Sequence, residues 1–215
     1  MARARAHRDG CGIAHASDLI GQRWALLVIR ELLLGPKRFT DLRAGIPDLS
    51  PNVLGQRLRE LTESGIVRKR QLPLPAAAQV YELTEWGSGL EPAVLALGRW
   101  ASDAPSFPKD AEMGPDSAVL ALKSTFEPVA ADGFGGTYEL VLDGLPYSIR
   151  VAEGNFEARR GRADRPDATI RTDPKTMTDL VFRGRSLAAA RRAGDIEIEG
   201  DRRGVERLVR MLAGR

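Results

Sequence analysis

The stretch that decides the fold of the N-terminal half reads FTDLRAGIPDLSPNVLGQRLRELTESGIVRKRQ and runs from residue 39 to residue 71. We expect a helix capped by Thr40, a turn at residues 45–48, and a second helix that begins after Ser50. Ser50 is a favourable N-cap, and Pro51 suits the first helical position because its missing N–H would have no partner there anyway. The order of helix, turn, helix and basic hairpin predicts a winged helix-turn-helix.

The second helix of this stretch has distinct inner and outer faces. Leu54, Leu58 and Leu61 recur at helical spacing and are expected to face the core. The side chains predicted to turn outward, and therefore to be available to base edges, are Asn52, Val53, Gln56, Arg57 and Glu60.

Two helices are predicted before this stretch, and a two-stranded wing with a proline-rich tip is predicted at its end. The expected bounds are residues 13–20 and 22–34 for the helices, 66–71 and 79–83 for the strands, and 72–75 for the tip. A further helix at residues 89–101 carries an apolar stripe of Leu90, Val94, Leu97 and Trp100. This stripe is more than a small winged domain can cover, so we expect the same helix of a second copy to pack on it.

The C-terminal half has a different pattern. Residues 104–115 have no hydrophobic period and are predicted to link a domain at 1–103 to a domain at 116–215. Five alternating segments mixed with helices predict an α+β domain with a five-stranded sheet. The predicted strands are 137–142, 147–152, 155–160, 168–172 and 195–199, and the predicted helices are 116–126, 176–182, 187–192 and a closing helix with Val205, Leu208, Val209 and Leu212 at helical spacing.

Composition and charge narrow the function classes. Hydrophobic residues at 43% and charged residues at 28% are ordinary for a folded globular chain. The formal net charge of +3 lies entirely in residues 1–104, which favours a phosphate-neutralising surface there, although a solvated charged face has the same composition. The apolar run at residues 24–34 is too short to span a bilayer, and no signal-type segment follows the arginine-rich start. We expect a cytoplasmic protein with no membrane partner.

The sequence shows no catalytic or metal-binding constellation. No glycine-rich phosphate loop follows a strand, and no carboxylate pair has a supporting base. The single cysteine, Cys11, excludes an internal disulfide and a cysteine-rich zinc site, and Cys11 with His15 supplies only two metal ligands. We therefore expect no enzyme activity, no metal and no cofactor.

With these residues in view, the N-terminal half resembles the HxlR family of winged-helix transcriptional regulators. The matching segments are residues 11–67 and YELTEWG at residues 81–87. The resemblance implies a homodimer on double-stranded operator DNA, with the helix that starts at Pro51 in the major groove and the wing beside it. It makes Ser50, Asn52, Gln56 and Arg57 the best candidates for DNA contact and places Arg38 and Thr40 at the phosphates, and Arg59, Arg68, Lys69 and Arg70 complete the candidate set.

The wing departs from the family pattern at Gln79, where a basic residue is common. Backbone contacts are therefore expected from Arg68, Lys69 and Arg70, although at most two of these three can act together because neighbouring strand residues point to opposite faces.

The C-terminal half resembles the sterol-carrier-protein-like fold through DATIRTDPKTMTDLVFRGRSLAAARRAGDIEIEGD at residues 167–201. The resemblance implies an apolar cavity between sheet and helices that takes a small apolar ligand such as a lipid or acyl chain. Ordinary core packing is the alternative for the same residues. The cavity candidates are Phe126, Leu140, Ile149, Phe156, Met177, Leu180, Val181, Phe182, Leu187 and Leu212.

Cys11 is a candidate redox sensor by the same family resemblance, since several relatives sense oxidants or electrophiles with a cysteine at this position. Sensing needs a low thiol pKa, which a helix N-terminus can provide. A buried or inert thiol is the alternative.

These observations leave two hypotheses of different classes. The first is a dimeric, sequence-specific transcriptional regulator, a repressor by analogy, whose C-terminal domain senses a small apolar molecule or strengthens dimerisation. The second is a lipid-type carrier or binding protein in which the winged-helix half serves only dimerisation.

Overall fold

A computed structural model of the chain describes residues 9–74, 77–108, 111–127 and 133–214. Two compact units divide the chain, Met1–Val94 and Leu95–Arg215. The arginine-rich start, Pro75 at the predicted wing tip and part of the predicted linker lie outside the described residues. Within the described part of the chain, no helix is long and apolar enough to cross a membrane.

The predicted winged helix-turn-helix is present in the N-terminal half. Its two central helices, α3 and α4, are followed by an antiparallel pair of strands that forms the wing. The elements are α1 (Gly12–Ile20), α2 (Ala25–Leu33), α3 (Phe39–Gly45), α4 (Pro51–Glu63), β1 (Val67–Gln71), β2 (Gln79–Leu83), α5 (Glu85–Ser88) and α6 (Glu91–Ser102).

The start of α4 confirms the predicted cap. The Ser50 hydroxyl accepts a hydrogen bond from the Val53 N–H at 3.4 Å, and Pro51 is the first helical residue. Leu54, Leu58 and Leu61 are buried, as the spacing predicts. The start of α4, and with it the first turn of the outer face, is therefore set by local sequence.

The predicted cap of α3 is wrong by two residues. The N-cap is Arg38, and its backbone N–H donates to the Asp41 carboxylate at 3.3 Å. Thr40 lies inside the first turn, where its hydroxyl donates to Asp41 at 3.3 Å. Asp41 is the third helical residue, and its carboxylate accepts from the N-cap N–H as the acidic residue of a capping box does.

The YELTEWG segment contains a short helix, α5, that the hydrophobic pattern does not reveal. Thr84 caps it by accepting from the Gly87 N–H at 3.0 Å, and its hydroxyl donates to the Gly65 carbonyl at 2.7 Å. Gly87 lies so close to the Ile66 carbonyl that a Cβ there would overlap with it. These contacts hold the segment that follows β2 against the end of α4.

A buried ion cluster joins α2 to the wing. Glu31 is 2% exposed and pairs with Arg30 at 2.7 Å and with Lys37. The backbone of Lys37 forms a bridge to Tyr81 of β2, with N–H to carbonyl distances of 3.0 and 2.8 Å. The Lys37 side chain therefore forms an ion pair inside the fold and does not add to a phosphate-binding surface.

The second unit has the predicted α+β architecture with a five-stranded sheet. The strand order is β5-β4-β3-β6-β7, in which β3 and β6 are parallel and the other neighbours are antiparallel. The elements are α7 (Pro115–Thr125), β3 (Gly136–Leu142), β4 (Leu145–Ala152), β5 (Asn155–Arg160), β6 (Ala168–Thr172), α8 (Pro174–Phe182), α9 (Leu187–Ala193), β7 (Ile196–Gly200) and α10 (Arg202–Leu212).

Helices pack on this sheet, and α10 contacts both β6 and α8. Buried Val205, Leu208 and Leu212 form the inner face of α10, as their spacing predicts. A polar group is also buried at the start of α7, where Asp116 accepts a hydrogen bond from the Tyr147 hydroxyl at 2.6 Å and pairs with Arg160 at 2.9 Å. These contacts fix α7 against β4 and β5.

Candidate nucleic-acid interface

The exposed face of α4 excludes some of the side chains that the sequence predicts to turn outward. A helix advances about 100° per residue, which places Asn52, Gln56, Arg59 and Glu63 on the side opposite the buried leucines. Asn52 and Arg59 are exposed, and Gln56 is half-buried. Asn52, Gln56 and Arg59 form the part of α4 that a duplex would meet, whereas Glu63 is the last residue of the helix.

Arg57 does not turn outward as predicted. Its side chain is 11% exposed and pairs with Glu60, and its Nε is buried without a hydrogen-bond partner among the described residues. Val53 also departs from the prediction, because it packs against the buried apolar core of the first unit. Both residues lie on the flanks of the leucine stripe, where neighbouring elements of the fold cover them.

The Glu60 carboxylate links two of the candidate DNA contacts. It accepts from the Gln56 side-chain amide at 3.0 Å with one oxygen and pairs with Arg57 through the other. The side chain of Glu60 is 43% exposed, so the group lies at the edge of the outer face.

The other candidates near α3 and α4 lie at helix starts. Arg38 and Thr40 are exposed at the beginning of α3, and Ser50 is exposed at the beginning of α4. Backbone N–H groups at a helix start attract anions, and these three residues therefore suit contacts with phosphates.

The wing presents two arginines on one face of β1. Arg68 and Arg70 donate to the two carboxylate oxygens of Glu82, each at 2.8 Å. Burial by itself would raise the pKa of Glu82, but the hydrogen bonds and positive charges of Arg70 and Arg68 outweigh it, so the pKa is lowered. Arg68 and Arg70 remain 64% and 42% exposed.

Lys69 lies on the opposite face of β1, with its ammonium 5.5 Å from the centre of the Tyr81 ring. The three basic residues of the wing strand therefore divide between two faces, as the strand alternation predicts.

Cys11 is exposed and occupies the N-cap position of α1. The backbone N–H groups of Ile13 and Ala14 at the start of α1 lower the pKa of its thiol. Within the part of the chain that is described, no group of three or more histidine, cysteine or acidic side chains is placed to hold a metal ion.

The helix predicted to dimerise has two kinds of apolar residue. Leu90 and Val94 pack against the core of the first unit. Leu97 and Trp100 are 46% and 76% exposed, and α6 has no buried residue. The exposed part of the stripe is therefore its second half.

The cavity candidates of the second unit are mostly core residues. Phe182 is the exception, because it is the last residue of α8 and is 46% exposed. Its assignment to a cavity stays a prediction. Phe126 and Leu187 are half-buried, and the Phe126 ring lies 5.5 Å from that of Phe156. The buried candidates are Leu140, Ile149, Phe156, Met177, Leu180, Val181 and Leu212.

Comparison with known proteins identifies the first unit. The profile of the HxlR-like helix-turn-helix family matches residues 19–106. The HTH-type transcriptional regulator YvaP of Bacillus subtilis is 36% identical over 94 residues, which are 43% of this chain and 87% of that protein. The chain belongs to the HxlR-like helix-turn-helix family. The similar YodB regulator of the same organism is 38% identical over 86 residues, 40% of this chain and 77% of its own length.

Among solved structures, the reduced form of the transcriptional regulator YodB from B. subtilis is similar. It is 32% identical and covers 48% of this chain and 100% of its own, with a TM-score of 0.40. Family membership makes this chain a DNA-binding transcriptional regulator.

The second unit is similar to a different family. Residues 130–214 match the profile described as the alkyl sulfatase C-terminal domain. The sterol-carrier-type resemblance stays a prediction, because the matching profile carries a different description.

Proposed function

We propose that the chain is a homodimeric, sequence-specific repressor that reads an operator with Asn52, Gln56 and Arg59 on the outer face of α4. The observation that supports it best is the arrangement of α4, in which a capped start and three buried leucines leave these polar side chains on the opposite face. Arg38, Thr40 and Ser50 hold the phosphates beside that face, and the wing arginines extend the contact. A dimer of this kind places two copies of α4 about one turn of DNA apart.

The exposed half of α6 supports the dimer. Leu97 and Trp100 leave a large apolar area in water in a single chain. Removal of such side chains from water contributes roughly 25 cal/mol per Å² of apolar area, before the entropic cost of association is subtracted. Sedimentation analysis of the chain is expected to show a dimer, and Trp100→Glu is expected to shift it toward the monomer.

Selection of duplexes from a random pool tests specific reading. The wild-type chain is expected to enrich one two-fold symmetric sequence and to bind it about 10³-fold or more tightly than random DNA. Asn52→Ala with Arg59→Ala is expected to remove this preference while the melting temperature is retained. Binding that depends on salt but not on sequence would overturn the proposal.

The second unit is proposed to hold a small apolar ligand in a sterol-carrier-type fold. The order β6, α8, α9, β7, α10 and the buried apolar faces of α8 and α10 support it. Native mass spectrometry of the purified chain and thermal shifts with a fatty-acid panel are expected to show a bound apolar molecule. No adduct and no shift would leave the second unit with a purely structural role.

The carrier hypothesis makes the opposite prediction for DNA. Its N-terminal half serves only dimerisation, so Asn52→Ala with Arg59→Ala would change neither ligand binding nor any activity of the chain. The match to the HxlR-like family and to its regulators favours the regulator.

A further inference from the structure

We infer that Glu60 is a specificity-determining residue of α4 that acts through Gln56, setting the orientation of the Gln56 amide so that it reads an adenine. The inference rests on the proposed function and adds one positioning residue to it. Its basis is the contact chain Arg57, Glu60, Gln56 on the edge of the outer face.

The first step is the direction of the Gln56 amide. An ionised carboxylate can only accept hydrogen bonds. The Gln56 group that lies 3.0 Å from Glu60 must therefore be the amide nitrogen, and not the amide oxygen. The chemistry of Glu60 thus settles an orientation that is otherwise ambiguous for a glutamine.

The second step is what remains on Gln56 for a base. An amide nitrogen carries two hydrogens, and Glu60 takes one of them. Among the described residues, only Glu60 is seen to bond the Gln56 amide, which leaves the other N–H and the amide oxygen for a base. These are one donor and one acceptor side by side, which match N7 and the N6 amino group of adenine in the major groove.

The third step is what holds Glu60. Arg57 pairs with its second oxygen, and the Arg57 side chain is only 11% exposed. Arg57 is therefore an anchor inside the protein. It fixes the carboxylate, and the carboxylate fixes Gln56.

This arrangement lowers the conformational entropy that Gln56 loses when it binds a base. A glutamine gives up rotamer freedom when it is ordered on a base, and ordering it beforehand removes part of that cost. Glu60 is expected to affect discrimination between bases at the Gln56 position more than overall affinity.

The test uses the operator selected by the wild-type chain and a set of duplexes in which each base is changed in turn. Glu60→Ala is expected to reduce the preference for adenine at one position of each half-site by roughly three-fold to ten-fold, as part of what a bidentate pair provides. Preferences at the other positions are expected to stay within about two-fold, an amount that corresponds to less than RT.

Glu63→Ala is the matched control. Glu63 is an exposed carboxylate on the same helix, and the described residues show no partner for it. Both substitutions remove one negative charge beside the phosphates and are expected to raise overall affinity alike. Only Glu60→Ala is expected to change the base preference.

A double-mutant cycle separates Glu60 acting through Gln56 from the release of Arg57. In a Gln56→Ala background, Glu60→Ala is expected to have no further effect on the base preference. A persistent effect in that background would assign it to freed Arg57 and overturn the inference. Glu60→Met removes the acceptor and keeps the length of the side chain, so it replaces Glu60→Ala if that variant does not fold and is expected to lose the same preference. Glu60→Gln keeps an acceptor for Gln56 and is expected to retain most of the preference.

The two ways of failing are distinguishable. If the wild-type chain selects no sequence, the proposed function fails and the inference fails with it. If the wild-type chain selects an operator and Glu60→Ala behaves like Glu63→Ala, the inference alone is wrong.

Discussion

The two units of this chain differ in where their candidate functional residues lie. In the first unit most candidates are exposed at the start of α3, on the outer face of α4 and on the wing. In the second unit seven of the ten cavity candidates, Leu140, Ile149, Phe156, Met177, Leu180, Val181 and Leu212, are buried. A polar side chain on an exposed face is satisfied by water, and a buried apolar side chain is explained by the core, so neither placement alone identifies a ligand. The family match assigns DNA to the first unit, whereas the profile that matches the second unit names no ligand.

The largest expected effect tests whether the second unit is packed as an ordinary core. Leu180→Ala removes a side chain that is 2% exposed, and in a close-packed core it is expected to cost about 2–5 kcal/mol of unfolding free energy. Hydrogen exchange followed by mass spectrometry measures this cost in the second unit separately from the first. Leu54→Ala is the matched variant in the first unit. It is expected to cost a similar amount and to abolish operator binding, which Leu180→Ala should spare. A cost for Leu180→Ala well below about 1 kcal/mol would indicate loose packing and favour a cavity.

The next effect concerns the wing. Arg68→Gln with Arg70→Gln removes two cations that share a face of β1, and the slope of log affinity against log salt is expected to fall by about 1.8, at about 0.9 for each phosphate that is no longer neutralised. Affinity measured between low and physiological salt gives this slope. Lys69 lies on the other face of β1, so Lys69→Gln is the control. A slope that falls with Lys69→Gln and not with the pair would reverse the assignment of faces.

A smaller effect is expected from Glu82, which tests whether the first unit is also stabilised by its surface charges. The lowered pKa of Glu82 means that its carboxylate stabilises the folded state at pH values above the ordinary glutamate pKa of about 4.3. That stabilisation disappears as the pH falls through the lower, folded-state pKa. Glu82→Gln is expected to lower stability by about 1 kcal/mol at pH 7, since both arginines are partly exposed, and to match the wild type in strong acid. Melting curves at several pH values measure the difference. Glu63→Gln should show no such convergence, and a constant gap for Glu82→Gln would contradict the ion-pair explanation.

The smallest effect is the reactivity of Cys11. Because its pKa is lowered by the N–H groups at the start of α1, the fraction of thiolate at neutral pH is larger than for an ordinary cysteine. Alkylation by iodoacetamide is expected to be faster in the folded chain than in urea, and to reach half of its maximum at a lower pH. Cys11 is the single cysteine of the sequence, so Cys11→Ser is the control for alkylation of other groups. Equal rates in both states would show that the helix start does not activate the thiol.

Fold elements with a local cause are predictable from the sequence. Ser50 and Pro51 determine where α4 begins, and strands β5 and β6 have the predicted bounds, because caps and alternation act over a few residues. The cap of α3 is harder to predict because Thr40 and Arg38 compete for that position, and the carboxylate of Asp41 decides between them.

Helical and strand periodicity are enough to predict the winged helix-turn-helix and the five strands of the second sheet. On the exposed face of α4, they predict Asn52 and Gln56 correctly. Three placements depend instead on the folded chain. The Arg57 side chain lies mostly inside the protein and pairs with Glu60, Lys37 pairs with Glu31, and Phe182 is exposed at the end of α8. A side chain on the flank of a helix is covered or exposed by elements that are distant in sequence, and no local pattern records which elements those will be.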